Sequence, residues 1–442
     1  MSRSIGLWFC AALLAALPAA GRASDLLEAY AQALRADPVL AGADATRWAV
    51  HENVAQARAP LLPQLSAGFG FDQSSVGATS ASDAASLPSG RNSTRSASAN
   101  LNQVIVDVSK TAQLRVAHAQ SDAQDAVYAA ALQNLAVRVA TAYFNVLSAG
   151  DTLAYVQANE DAYGQQVEQS ATRYANGLSA QVDVEQARSY YAAARASTIA
   201  ARTQLADARE ALAEITGTPA GTLKTLRDEL PTAPPAPADA QAWVETALAT
   251  NPGLRAQQLG VTAAERSIDA ARAGHLPTLT AGVGIGRSAS WPMTQSDYDG
   301  RTVTTVGVTL NVPLFAGGAT QSLVRQALHQ RDGAQDTYEA QRRALARTTL
   351  DQYRSVVAGV GRIEATKAAV DAARKALAST RVGQQLGTQT MTDLLLAIQN
   401  LTSAQGAYSA ARHQFILDKL LLLQAAGTIA EADLAAVNAL LQ

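Results

Sequence analysis

Two different periods of apolar and polar residues alternate along this chain of 442 residues. In four short segments every second residue is apolar and the residues between are small, polar or glycine, which indicates β-strands with one apolar face. Strands of about ten residues with this pattern are typical of a water-filled transmembrane β-barrel, although a half-buried sheet of a soluble protein alternates in the same way. The predicted strands cover residues 64–71, 96–102, 278–285 and 305–312.

Between the strand pairs the apolar residues recur at steps of three and four, which indicates helices. Residues 107–176 contain no proline, and we predict one helix of roughly seventy residues and about 100 Å there. An equivalent helix is predicted at 319–386. Two shorter helices laid end to end nearly match the length of one long helix, so the helices can form a parallel-sided tube, and no globular core is required. The shorter helices are predicted at 39–59, 180–215, 253–273 and 390–425.

The same order of elements occurs twice. The segment ARAPLLPQLSAGFGF, which begins at Ala57, shares nine of its fifteen residues with ARAGHLPTLTAGVGI, which begins at Ala271. A second pair begins at Gly177 and Gly387, with an offset of 387 − 177 = 210 against 271 − 57 = 214 for the first. The chain is therefore a tandem duplication, which suggests a quasi-symmetric assembly and not an enzyme with one asymmetric pocket.

The first 23 residues are predicted to be a signal peptide. Arg3 precedes an apolar core of about a dozen residues, which is too short to span a bilayer as a stop-transfer helix. Cleavage before Ser24 would remove Cys10, which follows Phe9 and not the small residue of a lipoprotein site. The mature protein would be exported, without disulfides or thiolate metal ligands.

Composition narrows the class of protein further. Forty-eight per cent of the residues are hydrophobic but only 5% are aromatic, so much of the apolar share is alanine and other aliphatics, as in long, closely packed helices. A net charge of −2 argues against a nucleic-acid partner. No stretch after residue 23 reaches the eighteen or so apolar residues of a membrane helix. A membrane would therefore be crossed by strands.

These patterns divide the chain into five segments. Several prolines between Pro219 and Pro237 indicate an irregular connector, and the last segment resumes a pattern of alanine and leucine that is expected to pack against it. The segments are the signal peptide (1–23), a first repeat (24–216), the connector in the equatorial region (217–238), a second repeat (239–426) and a C-terminal equatorial segment (427–442).

Several motifs together resemble the TolC family of outer-membrane channel proteins over essentially the whole mature chain. They include DLLEAYAQALRADPVL at the mature N-terminus, LNQVIVDVSK after the second strand, RYANGLSAQVDVEQAR at 173–188 and AAGTIAEADLAAVNALL near the end. The resemblance implies a mainly α-helical fold with a membrane β-barrel. Three identical chains with four strands each would form one twelve-stranded barrel, continued by a long α-helical barrel across the periplasm.

The resemblance also implies the function. Members of this family are passive exit ducts of the outer membrane that extend into the periplasm and serve type I protein secretion, multidrug efflux or both. The implied partners are a periplasmic adaptor protein, an ABC or proton-driven transporter of the inner membrane, and outer-membrane lipid. No nucleic acid, cofactor or metal is expected.

In this family acidic side chains ring the pore at the tips of the helical hairpins. The matching residues here are Asp183 and Asp393, six residues after Gly177 and Gly387. Three chains would bring six carboxylates around one axis, where they would attract cations. The alternative is that both aspartates are solvated residues at helix N-termini, stabilised by the helix dipole.

Other gate positions depart from the family pattern. An arginine and a tyrosine that hold the mouth closed in well-known members correspond to Gln389 and Gln384, and a further acid corresponds to Leu396. A charged latch is therefore absent, and amide hydrogen bonds are its expected replacement. The tips are also implied to meet the adaptor, although a tight turn needs glycine in any case. The tip residues are Gly177, Leu178, Leu386, Gly387 and Thr388.

Catalysis is not predicted. The five histidines are scattered without the spacing of metal ligands, and the serines are assigned to loops without a nucleophile elbow. GVGIG at 282–286 resembles a phosphate loop but lies within a predicted strand. The alternative from another functional class is a soluble periplasmic coiled-coil scaffold or adaptor protein.

Overall fold

The computed structural model describes residues 24–76, 90–291 and 302–442. Within these ranges two helices, a β-hairpin, a long helix and a shorter helix follow one another, and the same order then repeats, which confirms the duplication. The elements are α1 (Leu26–Ala36), α2 (Pro38–Arg58), β1 (Gln64–Val76), β2 (Gly90–Val106), α3 (Val108–Ala175), α4 (Gln181–Thr216), α5 (Ala240–Thr250), α6 (Pro252–Arg272), β3 (Thr278–Trp291), β4 (Thr302–Asn311), α7 (Ala319–Gln385), α8 (Met391–Ala426) and α9 (Glu431–Asn438).

The two long helices confirm the prediction to within a residue or two. Helices α3 and α7 contain 68 and 67 residues, which corresponds to about 100 Å each. Helix α3 begins where the Asp107 carboxylate accepts a hydrogen bond of 3.0 Å from the Lys110 N–H, as an N-cap residue does. Each long helix then turns back on a shorter one, so that α3 with α4 and α7 with α8 form two antiparallel hairpins.

The four strands form one antiparallel sheet in the order β1-β2-β3-β4. The register sets Leu65 opposite Leu101, Leu101 opposite Val283, and Val283 opposite Val306, so one apolar face runs across all four strands. The predicted strands at 64–71, 96–102 and 278–285 are too short, because β1, β2 and β3 extend further towards the hairpin ends. Pairing continues to Val76 in β1 and to Trp291 in β3, because backbone hydrogen bonds need no apolar alternation. The remaining loop residues lie outside the described ranges.

The helices nevertheless enclose a buried core that the sequence did not predict. A cluster of buried side chains lies at the middle of the helices, where α1 and α9 pack against α3, the end of α4 and the end of α8. Helices α1, α5 and α9 were not predicted from the sequence. Side chains from all the contributing segments are almost completely buried, among them Leu26, Leu135, Tyr143, Phe144, Leu212, Leu420 and Leu434.

The connector closes this equatorial core through backbone pairing. Ser24 bridges to Leu223, and Leu226 bridges to Leu441, so the connector lies between the first and last described residues. The buried Tyr143 hydroxyl donates to the carbonyls of Ser24 and Lys224 at 3.1 and 3.0 Å, and burial raises the pKa of Tyr143 far above its usual value. The α3 helix is thereby fixed both to the first described residue, Ser24, and to the connector at Lys224.

Equivalent junctions anchor the base of each helical hairpin. Asp37 precedes Pro38 and caps α2 with its side chain. Its equivalent in the second repeat, Asn251, precedes Pro252 and caps α6 in the same way. The glycine that ends each hairpin, Gly217 or Gly427, adopts the left-handed conformation and lies against that junction. A Cβ at Gly217 would lie 2.8 Å from the Cβ of Ala36, and one at Gly427 would lie 2.5 to 2.8 Å from three backbone atoms of residues 250 and 251.

We expect Gly427→Ala to destabilise the protein by about 3 kcal/mol, since it adds left-handed strain and a clash with rigid backbone. Gly217→Ala should cost about 1–2 kcal/mol, because its neighbour is one methyl group. Gly361→Ala is the matched control, since a Cβ there meets no atom within 4 Å, and it should stabilise α7 by up to about 1 kcal/mol. Thermal unfolding followed by circular dichroism ranks the three. Equal midpoints for the variants at 427 and 361 would contradict the packing described.

Candidate gate at the hairpin tips

The two hairpin tips have the same backbone geometry. In the first, Gly177 has φ of 69°, and the N–H groups of Gly177 and Leu178 donate to the carbonyls of Tyr174 and Arg173 at 2.9 and 2.8 Å. In the second, Gly387 has φ of 77°. The N–H groups of Gly387 and Thr388 donate to Gln384 and Gly383 at 3.2 and 2.8 Å. Both are Schellman turns, which require a residue in the left-handed region.

Asp183 and Asp393 both lie in the first turn of the helix that leaves the tip. Their surroundings differ. The Asp393 carboxylate accepts hydrogen bonds from the Thr390 hydroxyl at 2.6 Å and the Thr390 N–H at 2.9 Å, which completes a capping box. These bonds lower the pKa of Asp393 below its usual value. The N-cap residue of α4, three positions before Asp183, is Ala180, whose side chain cannot cap. The Asp183 carboxylate makes no hydrogen bond within the described residues.

The residues at the latch positions are held by their own turn. A Cβ at Gly383 would lie 2.6 Å from Cγ of Gln389, so the Gln389 side chain lies directly over this glycine. The Gln384 carbonyl belongs to the turn itself. Neither side-chain amide forms a hydrogen bond within the described part of one chain. Leu396, one helical turn after Asp393, is 43% exposed.

Both tips present apolar side chains to solvent. Leu178 is 69% exposed and Leu386 is 74% exposed, and each is adjacent to its tip glycine. Thr388 donates its hydroxyl to the Gly383 carbonyl at 3.1 Å and is exposed as well.

The tips are joined by a small buried cluster that sequence reasoning missed. Leu394, Leu395 and Ile398 of α8 pack against Tyr163 of α3 and Ala194 of α4. The Tyr163 hydroxyl donates to the Leu395 carbonyl at 3.0 Å, and burial raises the pKa of Tyr163 to about 12. In the sequence, three consecutive leucines at 394–396 are the pattern that could have indicated this cluster. A hydrogen bond from the Thr392 hydroxyl to Gln186 Oε1 at 3.0 Å joins α8 to α4.

A Ser–His–Asp arrangement lies away from the tips, between α2 and α3. His51 Nδ1 is 2.9 Å from the Ser121 hydroxyl, and His51 Nε2 is 3.0 Å from Asp125 Oδ1. The assignment of serines to loops was therefore wrong for Ser121, which lies within α3 and is 5% exposed. Arg47 Nε donates to the same Asp125 oxygen at 2.6 Å. These contacts fix α2 to α3.

Two further properties concern the described ranges as a whole. None of their helices combines the length and the apolar character required to cross a membrane. No group of three histidine, cysteine, aspartate or glutamate side chains among these residues is placed to hold a metal ion.

Two long helical hairpins below a four-stranded sheet with one continuous apolar face define a channel-forming protein of the outer membrane. The chain belongs to the outer membrane efflux protein family, whose model matches residues 29–218 and 243–428. The two matched segments correspond closely to the two repeats. The protein is accordingly an exit duct of the outer membrane that extends into the periplasm, and this decides against the soluble scaffold or adaptor.

Known proteins with similar sequences and folds support this membership. The outer membrane protein TolC of Vibrio cholerae is 35% identical over 435 residues, which cover 98% of this chain and 97% of that protein. The alkaline protease secretion protein AprF of Pseudomonas aeruginosa is 29% identical and covers 99% of this chain and 91% of its own length. The crystal structure of VceC of Vibrio cholerae has the same fold, with a TM-score of 0.76 at 23% identity, and covers 91% of this chain and 96% of its own.

We expect Tyr163→Phe to loosen the contact between the two tips. The substitution removes the bond to Leu395 and keeps the ring, so it should cost about 1 kcal/mol and shift a closed–open equilibrium about fivefold towards the open state. Planar-bilayer recordings would show this as more frequent spontaneous opening. Tyr191→Phe is the matched control, because the Tyr191 hydroxyl makes no hydrogen bond within the described residues. Equal opening frequencies in the two variants would refute a gating contribution of the Tyr163 bond.

Proposed function

We propose that three copies of this chain assemble into one passive conduit, with a twelve-stranded barrel in the outer membrane and an α-helical barrel below it. The observation that carries this proposal is the open sheet. Among the described residues, strands β1 and β4 each pair on one side only, and unpaired strand edges cannot stay exposed at membrane depth. Pairing β4 of one copy with β1 of the next removes both edges.

The helices support closure at the same place. Helix α6 packs against both α3 and α7, whereas α2, its equivalent in the first repeat, packs extensively only against α3 among the described helices. Five residues of α6 are buried but only Leu40 of α2 is. If the repeats are quasi-equivalent, the missing neighbour of α2 is α7 of another copy. This seam lies directly below the one between β4 and β1.

We assign the closed periplasmic end of the conduit to the two tips. Asp183 and Asp393 are equivalent residues in equivalent turns, so three chains would place six carboxylates around one axis. Gln384, Gln389 and Leu396 lie beside this ring without a charged latch. Because neither glutamine side chain forms a hydrogen bond among the described residues of one chain, both can bond between copies.

The exposed tips and the relatives support our proposals for the partners and the cargo. We assign the contact with a periplasmic adaptor to Gly177, Leu178, Leu386, Gly387 and Thr388, with an inner-membrane ABC or proton-driven transporter behind it. A relative named for alkaline protease secretion supports protein export, and the family description supports efflux of small molecules. The conduit itself performs no catalytic step.

Cysteine pairs test the assembly. Since the chain after the predicted signal peptide contains no cysteine, Ala67→Cys in β1 can be combined with Val306→Cys, Val308→Cys or Leu310→Cys in β4, all on the apolar face. We expect at least one combination to give disulfide-linked trimers on denaturing, non-reducing gels. The control pair Ala99→Cys and Ile285→Cys, which are opposite each other within one chain, should give monomers only. Monomers from every combination would argue against closure at β1 and β4.

Ion selectivity tests the acidic ring. The double variant Asp183→Asn and Asp393→Asn should lose the preference for cations and the block by multivalent cations in planar bilayers, because the carboxylates that share such ions are gone. Asp393→Asn is expected to have the larger single effect, and Gln389→Ala should raise conductance only modestly. Thr390→Ala is the control, since it removes the capping partner and keeps the charge. An unchanged selectivity ratio in the double variant would leave both aspartates as helix-start residues only.

A further inference from the structure

Two arginines lie on the apolar face of the sheet, on its two central strands. Arg95 in β2 is opposite Ala289, and Arg287 in β3 is opposite Ala97, so the two are diagonal neighbours on one face, within reach of one ligand. Both side chains are exposed. Neither arginine is on the polar face, where charges would meet water in a channel.

The height of these arginines places them at the outer edge of the apolar band. Val106 and Leu279 are paired near the helical end of the sheet and give a common baseline. Arg287 is eight residues further along β3 and Arg95 is eleven residues away along β2 across the bulge between Val104 and Val106. At about 3.3 Å per residue and a tilt near 40°, Arg287 and Arg95 lie about 20 and 25 Å above the baseline. An apolar band of this kind is about 25 Å tall. Arg95 therefore lies at its outer edge, and the long side chain of Arg287 extends from just below that edge to the interfacial region of the outer leaflet.

Because the two arginines lie on central strands, pairing between copies does not cover them. Pairing between copies takes place at β1 and β4, whereas β2 and β3 pair with each other inside one chain. The inference depends on the outer-membrane location and on the register, and on no feature of the gate.

Side chains next to the arginines suit a lipid. The Arg95 guanidinium lies 5.9 Å from the centre of the Phe71 ring, and Ile285, two residues before Arg287, is 48% exposed on the same face. Arg287 forms no ion pair within the described part of the chain. Guanidinium groups bind phosphate through two parallel hydrogen bonds, and the apolar residues below them face acyl chains.

We propose that Arg95 and Arg287 form a binding site for a phosphate-bearing lipid headgroup of the outer leaflet, one site on the outer surface of each copy. The headgroup phosphate is held by the two guanidinium groups, and the acyl chains lie along the apolar rows of β2 and β3. The site would fix the depth of the barrel in the membrane at its extracellular side.

Native mass spectrometry of the detergent-solubilised channel tests this site. The probes are lipid A with both phosphates and the same lipid with its phosphates removed. We expect the unmodified channel to retain the phosphorylated lipid and the double variant Arg95→Gln and Arg287→Gln to retain it about tenfold less, since two bidentate contacts are lost. The matched control Arg195→Gln and Arg202→Gln removes two exposed arginines from α4 and should retain as much lipid as the unmodified channel.

Three results would overturn the proposal. They are equal retention by the double variant, equal retention of the dephosphorylated lipid, and displacement of the lipid by excess inorganic phosphate, which would identify a site for the free ion. Arg95→Lys and Arg287→Lys are measured alongside, because they preserve charge for membrane insertion and lose the bidentate geometry. Their retention should be intermediate, and full retention would show that charge alone is sufficient and that no built site exists.

Discussion

Backbone N–H and C=O groups at the free edges of β1 and β4 set the constraint on which the rest of this molecule depends. In a bilayer no water is present to bond them, and each unpaired group would cost several kcal/mol. A single chain leaves two such edges, and the helices below repeat the same deficiency, since α2 lacks the second neighbour that α6 has. The duplication satisfies both requirements with one rule. In the proposed assembly the next copy supplies the pairing partner of β1 and the second neighbour of α2, as β2 pairs with β3 and α6 packs against α7 within one chain.

The equatorial core gives this extended structure a fixed point. Helices α1 and α9 and the connector are buried against α3 and α8 at mid-length, and the Arg412 guanidinium donates to the carbonyls of Leu226 and Arg227 in the connector. The base of each hairpin is held by rigid contacts at Gly217 or Gly427. The tips are joined by a much smaller cluster around Tyr163 and Leu395. A hairpin anchored at its base and weakly held at its tip can pivot, which is the motion that opening of a mouth requires.

Local patterns allowed the long elements to be predicted, and tertiary features were missed. The helix bounds followed from periodicity and from the absence of proline, and both acidic positions were correctly placed at helix starts. The outer parts of β1 and β2 lie beyond the predicted strands because serine, asparagine and arginine there show no apolar alternation, although their backbones pair. The core was missed because α1 and α9 are short. The contact of His51 with Ser121 and Asp125 joins residues about seventy positions apart, which no local spacing reveals.

One difference between the tips was readable from the sequence and went unused. Thr390-x-x-Asp393 is a capping box, and the first repeat has Ala180 in place of the threonine. The pKa of Asp393 is lowered by its bonds to Thr390, so its contribution to the start of α8 is present above the unfolded pKa and is lost as the pH falls through the lowered folded value. In a ring of carboxylates, mutual repulsion acts in the opposite direction and favours protonation. If the six carboxylates form the proposed ring, the bonds from Thr390 help Asp393 to keep its charge there. Protonation of one Asp393 would remove one of the six charges and weaken the start of the α8 helix that carries it.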